Sequence, residues 1–375
     1  MAAKLTSPME QLSYEIRFVT PAFLGDAEQN GAWRTPPFKA LLRQWWRVAA
    51  AREHDYSHRA LRETEGRLFG NAWLEPKNGQ SQFCKSRILL RLDPWSMGNL
   101  SSERWPGGPM EKVPTTRDGK GPSVSADLYM GYGPVLPPNK REGRTRITIR
   151  NAIDPADSAR LRIGFESELK TDVAAVLQLI QWFGSMGSRS HNGWGSLELE
   201  PYQNAPALRP IPQPNDIVLT RCSRPWQECF RAEWPHALGT DSGKPLIWIT
   251  EPQHDWRKVM GSLANVKVAV RLAAKSFRGP IGIGGIHFLG YPAGGMWELK
   301  KLGKEARLAS QLRFKIIRKE RDFFGMVFHL PCRFPDALRM KLDDGQIGWI
   351  EQNELLVWEK IHSTLHNNRR VKPLF

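Results

Sequence analysis

The sequence contains no uninterrupted stretch of about 18 apolar residues, the length that a membrane-spanning helix requires. Residues 1–10 also lack the apolar core of a signal peptide. The four cysteines form no Cys-x-x-Cys pair, and no pair of histidines lies near them at zinc-ligand spacing. We therefore expect a cytoplasmic protein with reduced thiols, no membrane partner, no metal and no cofactor.

Two common nucleotide-binding motifs are also missing. The glycine-rich segment at residues 184–195 lacks the Gly-Lys-Ser or Gly-Lys-Thr ending of a P-loop, and it follows a predicted helix instead of preceding one. A dinucleotide fingerprint needs a strand before its glycines and a helix after them, and here that order is reversed. ATP and NAD are therefore poor candidate ligands.

The charge of the chain is strongly unbalanced towards basic residues. It has 54 Lys and Arg against 38 Asp and Glu, which gives a net charge of +16 and a pI near 9.9. A surplus of this size favours polyanionic partners, and because no membrane-spanning segment is present, nucleic acid is the stronger candidate. With 375 residues, 41% of them hydrophobic, the chain is long enough for two domains that each bury a core.

The order of predicted elements repeats along the chain. In the first half, residues 14–19 alternate apolar and polar side chains like a half-buried strand, and residues 172–183 have the apolar spacing of a helix. In the second half, residues 246–250 and 255–274 show the same two patterns. This repetition predicts two related α+β domains.

A change in composition marks the predicted domain boundary. Residues 203–216 are rich in Pro, Asn, Ala and Gln, which is typical of a linker. We therefore predict domains at residues 1–205 and 206–375. Residues 93–160 are rich in Gly, Pro and Ser and are predicted to form a long loop, a kind of segment that is often functional or ordered only by a partner.

The first basic feature is a predicted helix in the N-terminal domain. Thr35 can cap this helix, and Pro36 suits its first turn. Three basic residues lie four apart beside the apolar face and form a parallel stripe, and no acidic residue occurs between residues 30 and 52. The residues that this helix offers to a polyanion are Arg34, Lys39, Arg43 and Arg47.

The second basic feature is the glycine-rich loop at residues 184–195. Glycines permit backbone conformations that are closed to other residues, and they leave amide groups uncovered. Successive exposed amides form an anion-binding concavity, and the polar side chains of this loop add donors suited to phosphate and ribose. The predicted binding residues of the loop are Gly187, Ser188, Arg189, Ser190, His191, Asn192 and Gly193.

Further candidates lie in the second half of the chain. Residues 279–285 form another glycine-rich stretch, which is either a tight turn or, with its neighbour Arg278, an RNA contact. Residues 311–330 are predicted to form a hairpin whose basic face carries Arg313 and Lys315. The basic tail at residues 367–372 is predicted to be disordered.

Three short segments resemble motifs of a known family. The sequence Gly-Ser-Arg-Ser-His-Asn-Gly-Trp-Gly at residues 187–195 resembles the G-rich loop of the RAMP superfamily of CRISPR proteins. Residues 16–25 and 34–47, with a strand that ends in Thr-Pro and a helix that contains Trp-Trp, resemble the first RAMP subunit of the Cmr module, the type III-B effector. Residues 307–314 resemble a late motif of that subunit, with Gln311 where the family usually has proline.

The resemblance implies a fold of two tandem ferredoxin-like (RRM-like) RAMP domains. It implies a non-catalytic subunit that binds guide RNA far from the 5′ tag, helps to capture target RNA and contacts other RAMP subunits. It also adds Arg307 to the RNA-binding candidates. Such modules combine backbone contacts with stacking of bases on aromatic rings, and any of the 15 Trp residues is either a core residue or a stacking partner.

Two alternative functions remain open from the sequence. Some RAMP proteins cleave RNA with a histidine or with a metal held by an aspartate, for which His191 and Asp26 are the candidates here. A RAMP-type endoribonuclease that processes CRISPR RNA is therefore the first alternative. A stand-alone DNA-binding protein is the second, although the sequence contains no recognisable DNA-reading motif.

Overall fold

The computed structural model describes residues 8–375 except for residues 29, 78–79, 107–109, 115–120, 139–142, 149, 281 and 291–306. Residue 281 of the second glycine stretch and residues 1–7 therefore lie outside the described residues. The described residues form nine α-helices, which are α1 (Thr35–Ala50), α2 (His58–Phe69), α3 (Ala126–Gly131), α4 (Lys170–Phe183), α5 (Ile217–Arg221), α6 (Trp226–Cys229), α7 (Trp256–Lys275), α8 (Asp336–Arg339) and α9 (Asp344–His366).

The same residues form seventeen strands, most of them short. The strands are β1 (Met9–Phe18), β2 (Asn71–Lys77), β3 (Gln80–Cys84), β4 (Leu89–Asp93), β5 (Lys112–Pro114), β6 (Ser123–Ser125), β7 (Val135–Leu136), β8 (Arg146–Ile147), β9 (Ser158–Glu166), β10 (Leu197–Tyr202), β11 (Ser223–Pro225), β12 (Leu238–Asp241), β13 (Lys244–Pro245), β14 (Ile247–Ile249), β15 (Leu312–Lys319), β16 (Asp322–His329) and β17 (Lys372–Pro373).

The chain forms two compact units that interleave along the sequence. Unit 1 comprises Met1–Ser101, Arg150–Ser188 and Gly195–Cys222, and unit 2 comprises Ser102–Ile149, Arg189–Trp194 and Ser223–Phe375. The predicted domains at residues 1–205 and 206–375 are consecutive, whereas unit 2 includes two segments that precede residue 206. Patterns along the sequence do not reveal that the units interleave, because the assignment of a segment to a unit depends on contacts between distant residues.

Unit 1 is built on a four-stranded antiparallel sheet with the order β10-β1-β9-β4. Along the chain its elements follow as β1, α1, β4, β9, α4 and β10. Apolar and polar residues alternate along β1, so one face of the strand enters the core. Tyr14, Ile16 and Phe18 are buried, whereas Glu15 and Arg17 lie on the opposite face. α1 packs against α4 and β4, and α4 packs against β10.

Unit 2 repeats this arrangement with shorter strands. Its main sheet has the order β15-β16-β14-β17, again antiparallel, and its elements follow as β14, α7, β15, β16, α9 and β17. If the four strands of each sheet are numbered in chain order, neighbouring strands follow the spatial order 4-1-3-2 in both sheets. α7 packs against β16 and α9. The predicted mixed α+β class is confirmed.

Two stretches differ from their predicted structure. The tail at residues 367–372 is ordered, because β17 pairs with β14 and the Nη2 atom of Arg370 lies 2.6 Å from Oε1 of Glu111. Residues 93–160 are not one long loop, since they contain α3 and four short strands. The tail is ordered by pairing with a distant strand, whereas the four short strands pair locally, β5 with β6 and β7 with β8.

The start of α1 also differs from its prediction. The N-cap position is Arg34, and no side chain caps the helix there. The Oγ1 atom of Thr35 instead accepts a hydrogen bond of 3.1 Å from Nε1 of Trp95. Proline does occupy the first turn, as predicted.

Candidate nucleic-acid interface

The basic stripe on α1 is largely occupied by an internal carboxylate. Glu65 on α2 is 4% exposed, and its two oxygen atoms lie 2.5 Å from Nε of Arg43 and 2.6 Å from Nε of Arg47. Burial raises the pKa of Glu65, but the hydrogen bonds from Arg47 and Arg43 outweigh it, so the net shift is downward. Two guanidinium groups share one negative charge, and this part of the stripe holds α1 against α2.

The other two cations of this helix have different roles. Lys39 forms no ion pair with any carboxylate among the described residues, and burial together with the charge of Arg43 lowers its pKa. Arg34 is half-buried, and its Nη2 atom donates a hydrogen bond to the carbonyl of Gly25. Arg34 therefore fixes the loop before α1, whereas Lys39 remains available to an anion.

The open face of the unit 1 sheet carries Ser13, Glu15 and Arg17 of β1. Positive and negative side chains are equal in number among these residues and their partners on the neighbouring strands. Four arginines and four carboxylates meet there across the strands, and Arg160 also lies 3.7 Å from the centroid of the Tyr202 ring. Such a face offers a polyanion little net attraction. The eight charged residues are Arg17, Arg91, Arg160, Arg162, Glu15, Asp93, Glu198 and Glu200.

The predicted hairpin of β15 and β16 is present, but its predicted basic face is not exposed. Arg313 is 5% exposed and Lys315 is 1% exposed, because β15 is buried on both faces. Burial lowers the pKa of Arg313 to about 10. Its Nε atom donates a hydrogen bond of 3.4 Å to the carbonyl of Ser310. Alternation predicts one exposed face, which holds only for a strand covered on one side.

The ends of the glycine-rich loop belong to unit 1 and are held by main-chain contacts. The amide of Ser188 donates a hydrogen bond of 2.9 Å to the carbonyl of Phe23. Gly187 has a φ of +98°, and a Cβ atom there would lie 2.7 Å from the same carbonyl oxygen. Gly195 has a φ of +58°, and its Cβ atom would lie 1.9 Å from the carbonyl oxygen of Met186. Both positions therefore require glycine.

The apex of this loop, residues 189–194, belongs to unit 2. The Trp194 ring is fully buried, with its centroid 5.6 Å from that of Trp105 and 5.9 Å from that of Trp256. The amide of Phe314 donates a hydrogen bond of 3.0 Å to the carbonyl of His191. The apex is therefore part of the unit 2 core and not a flexible linker.

Two polar side chains of the apex bind the backbone of α3 and the residue after it. The Nε atom of Arg189 donates a hydrogen bond of 2.7 Å to the carbonyl of Tyr132, and Nδ2 of Asn192 donates one of 2.9 Å to that of Met130. Oδ1 of Asn192 accepts a hydrogen bond of 2.8 Å from Nζ of Lys267 on α7. Asn192 is therefore fully engaged, whereas the exposed Arg189 keeps further N–H groups for an anion.

Three cations converge beside the apex and form what we call the basic cluster, which consists of Arg189, Lys267 and Arg271. Lys267 and Arg271 lie one turn apart on α7. Burial, and then the charges of Arg271 and Arg189, lower the pKa of Lys267 to about 7. None of the three forms an ion pair with a carboxylate in the described part of the chain. Their mutual repulsion is relieved when an anion binds among them.

Two tyrosines of the α3 region lie beside the basic cluster. Nζ of Lys267 is 5.6 Å from the centroid of the Tyr129 ring. Tyr132, whose carbonyl accepts the hydrogen bond from Arg189, is 64% exposed. Cations next to an exposed aromatic ring are the combination with which proteins bind single-stranded nucleic acid.

The sequence contained a signal for part of this cluster. Lys267, Arg271 and Lys275 lie four residues apart, which is the same spacing that predicts the stripe on α1. Tyr129 and Tyr132 lie within residues 93–160, and nothing in their sequence context connects them with α7. Their position depends on the packing of α3 against α7.

The remaining predicted residues lie on unit 2 outside these contacts. Arg278 and Arg307 are exposed, and Arg278 forms an isolated antiparallel bridge with Gly284. Ser190 is half-buried, and Gly193 has a φ of +87°. Their roles in RNA binding stay predictions.

The histidine predicted for catalysis is poorly suited to acid–base chemistry near neutral pH. Burial, and then the charge of Arg313, lower the pKa of His191 to about 3, so its imidazole is a weak base. A different pair is exposed, in which Nδ1 of His254 lies 2.7 Å from Oδ1 of Asp322. Asp26 accepts a hydrogen bond of 2.8 Å from the amide of Asn30, which closes a turn.

No helix among the described residues combines the length and the apolar character needed to cross a bilayer. In the same part of the chain, no three His, Cys, Asp or Glu side chains lie close enough together to ligate a metal. The cysteines are free thiols, and burial raises the pKa of Cys222, Cys229 and Cys332 to about 12. Those three are therefore poor nucleophiles.

Comparison with known proteins gives matches among solved structures. The crystal structure of Cmr1 from Pyrococcus furiosus in its apo form covers 87% of this chain and 90% of its own, with 15% sequence identity and a TM-score of 0.41. The chain is structurally similar to Cmr1. It is also similar to a chain in the cryo-EM structure of the type III-B Cmr-beta complex bound to cognate target RNA and AMPPnP, with 12% identity, a TM-score of 0.45, and coverage of 95% of this chain and 99% of that one.

Both structures come from the Cmr module, which is the module that the sequence motifs resemble. No protein-family model matches the chain, and no curated protein matches it.

Proposed function

We propose that this protein is an RNA-binding, non-catalytic subunit of a type III-B CRISPR effector complex, built from two tandem ferredoxin-like RAMP domains. In this role it acts in the cytoplasm, holds guide RNA away from the 5′ tag, and contacts target RNA and other RAMP subunits. The strand–helix–strand–strand–helix–strand order in both units supports the domain assignment. The three motif segments described above support the family.

The observation that carries RNA binding is the basic cluster. Lys267 is near enough to Arg189 and Arg271 for both to lower its pKa, and its hydrogen bond to Asn192 fixes its position before a ligand arrives. A phosphate that enters the cluster gains attraction from three cations and removes their repulsion. Fixed donors lose little conformational entropy on binding, which favours affinity.

The aromatic neighbour of the cluster favours single-stranded RNA over duplex DNA. Tyr132 is 64% exposed and its backbone carbonyl accepts a hydrogen bond from Arg189, and a tyrosine ring can stack only on a base whose face is free. The described residues contain no helix that combines an unpaired basic face with a recognised DNA-reading motif.

The direct test compares RNA affinity of charge-removal variants at several salt concentrations. Lys267→Met and Arg271→Met should each weaken binding of a single-stranded oligouridine and reduce the slope of log K against log salt by about 0.7. Lys372→Met is the matched control, because it removes one charge from unit 2 at an exposed side chain that pairs with Glu251. Equal slopes for all three variants and the wild type would refute the proposed interface.

A cleavage assay separates this proposal from the endoribonuclease alternative. Repeat-containing RNA should stay intact with the purified protein, with or without divalent metal, because His191 is not protonatable near neutral pH. Cleavage that His191→Ala or His254→Ala abolishes would establish the nuclease instead. Competition between RNA and duplex DNA decides the second alternative.

A further inference from the structure

Trp95 stands apart from the other tryptophans whose side chains the structure describes. Its side chain is 64% exposed, whereas the rest of that set is buried or half-buried. Fully buried rings such as Trp45 and Trp182 fill the core of unit 1. An indole that is mostly exposed gains less from packing than a buried one, and its ring stays available to a ligand.

The Trp95 side chain is held in place. Its Nε1 atom donates a hydrogen bond of 3.1 Å to Oγ1 of Thr35 at the first residue of α1. The backbone beside it is also fixed, because the amide of Trp33 donates to the carbonyl of Ser96 at 2.8 Å. The polar edge of the indole is therefore satisfied within unit 1, and its flat face is presented to solvent.

The segments next to Trp95 contain a lysine on α1 and a further exposed apolar side chain. The first turn of α1 has no acidic residue, and Lys39 follows Thr35 by one helical turn. Met97, two residues after Trp95, is 51% exposed. The carboxylate nearest in sequence, Asp93, lies 3.9 Å from Arg162 and is paired with it.

We propose that Trp95 is a stacking platform for one unpaired base of the bound RNA and that Lys39 contacts the phosphate next to that base. An exposed indole bonded to the first residue of α1, with a lysine one turn further along that helix that pairs with no carboxylate among the described residues, matches the two parts of a nucleotide, one apolar and one anionic. An apolar segment of a protein partner would leave Lys39 unused. This inference rests on the proposed RNA-binding function and adds that the ligand is single-stranded at unit 1.

The inference is tested by combining a ring deletion in the protein with a base deletion in the RNA. Wild type, Trp95→Ala and Trp95→Phe are titrated with a single-stranded RNA in which one position at a time is abasic. Trp95→Ala should bind the intact RNA about five- to 150-fold more weakly, the range for one stacked base. Trp95→Phe keeps an aromatic face and should recover much of the affinity.

The decisive observation is non-additivity at a single RNA position. One abasic substitution that weakens wild-type binding should have no further effect on Trp95→Ala, because the stacked pair is already lost. Lys39→Met should reduce the salt slope by about 0.7, and it should leave the abasic pattern unchanged.

The outcomes separate this inference from the proposed function. If Trp95→Ala binds intact RNA as well as the wild type while Lys267→Met does not, RNA binding stands and stacking at Trp95 is refuted, which leaves a protein partner as the occupant of this surface. If the wild-type protein binds no RNA, both are refuted. A loss of affinity in Trp95→Ala with equal abasic effects in both proteins also refutes stacking.

Discussion

Raising the pH from 6 to 8 should weaken RNA binding about tenfold through Lys267. Burial, and then Arg271 and Arg189, lower the pKa of this lysine to about 7 in the free protein. A phosphate beside it restores a value near the ordinary one of about 10.4. The free lysine is about 90% charged at pH 6 and about 10% charged at pH 8, so binding at pH 8 must take up close to one proton. Since the charge is lost as the pH rises through 7, affinity falls in that direction.

The groups that face Lys267 leave this lysine as the source of a pH effect between pH 6 and 8. The other two cations of the cluster are arginines, a residue type that keeps its charge in this range, and burial, partly offset by Arg271, raises the pKa of Tyr129. His191 on the same loop apex has a pKa of about 3, because of burial and then Arg313. A pH effect in this range that depends on the cluster therefore belongs to Lys267.

The assay is fluorescence anisotropy of a labelled oligouridine at constant ionic strength. Lys267→Arg stays charged throughout and should bind equally at pH 6 and pH 8. Lys267→Met should be equally independent of pH, but at the weaker level. Calorimetry in two buffers with different ionisation enthalpies counts the protons taken up. Wild-type affinity that is the same at both pH values, with no proton uptake, would show that no phosphate reaches this lysine.

Three further predictions concern the loop, the α1–α2 contact and a buried histidine pair. Arg189→Gly removes a cation but relieves a left-handed φ of 60°, so it should lower RNA affinity by about tenfold or more and keep the melting temperature. Gly193→Val, at a φ of +87°, should instead lower the melting temperature and keep RNA affinity. If both variants changed the same property, these separate roles of Arg189 and Gly193 would be contradicted. Glu65→Gln should lower the free energy of unfolding in urea by about 2 kcal/mol, because the partly exposed arginines lose a buried counter-charge, and an unchanged value would show that the contact is dispensable. Burial and His362 lower the pKa of His329, and burial and His366 lower the pKa of His362 to about 3. The free energy of unfolding should therefore fall as the pH drops below about 6.5, where the unfolded chain takes up protons first. In thermal melts at pH 7 and 5, a His362→Gln variant should lose part of this pH dependence.

The elements with strong hydrophobic periodicity could be predicted from the sequence. Residues 172–183 and 255–274 are helical in the structure within two residues at each end, and residues 14–19 lie in or next to β1. Each has an uninterrupted apolar period that few other conformations can bury. The hairpin of β15 and β16 was also predictable, because a short charged turn separates two apolar runs.

The parts that depend on distant contacts could not be predicted. α3 has six residues and too little periodicity to stand out, and it is positioned by α7. β17 has two residues, and its order comes from β14 and from the pairing of Arg370 with Glu111. In the candidate site only Tyr129 and Tyr132 belong to such a region, so the sequence indicated the loop and α7 but not that the loop apex, α3 and α7 come together.

The comparison of α1 with α7 shows why spacing alone does not identify an anion site. Both helices carry basic residues four apart. On α1, the neighbouring helix α2 supplies Glu65, which neutralises half of the charge of Arg43 and Arg47. On α7, the packed segments supply an amide, a tyrosine ring and another arginine around Lys267, and no carboxylate among the described residues. The charge available to RNA is therefore decided by what packs against a stripe, which leaves Lys39 on α1 and both Lys267 and Arg271 on α7.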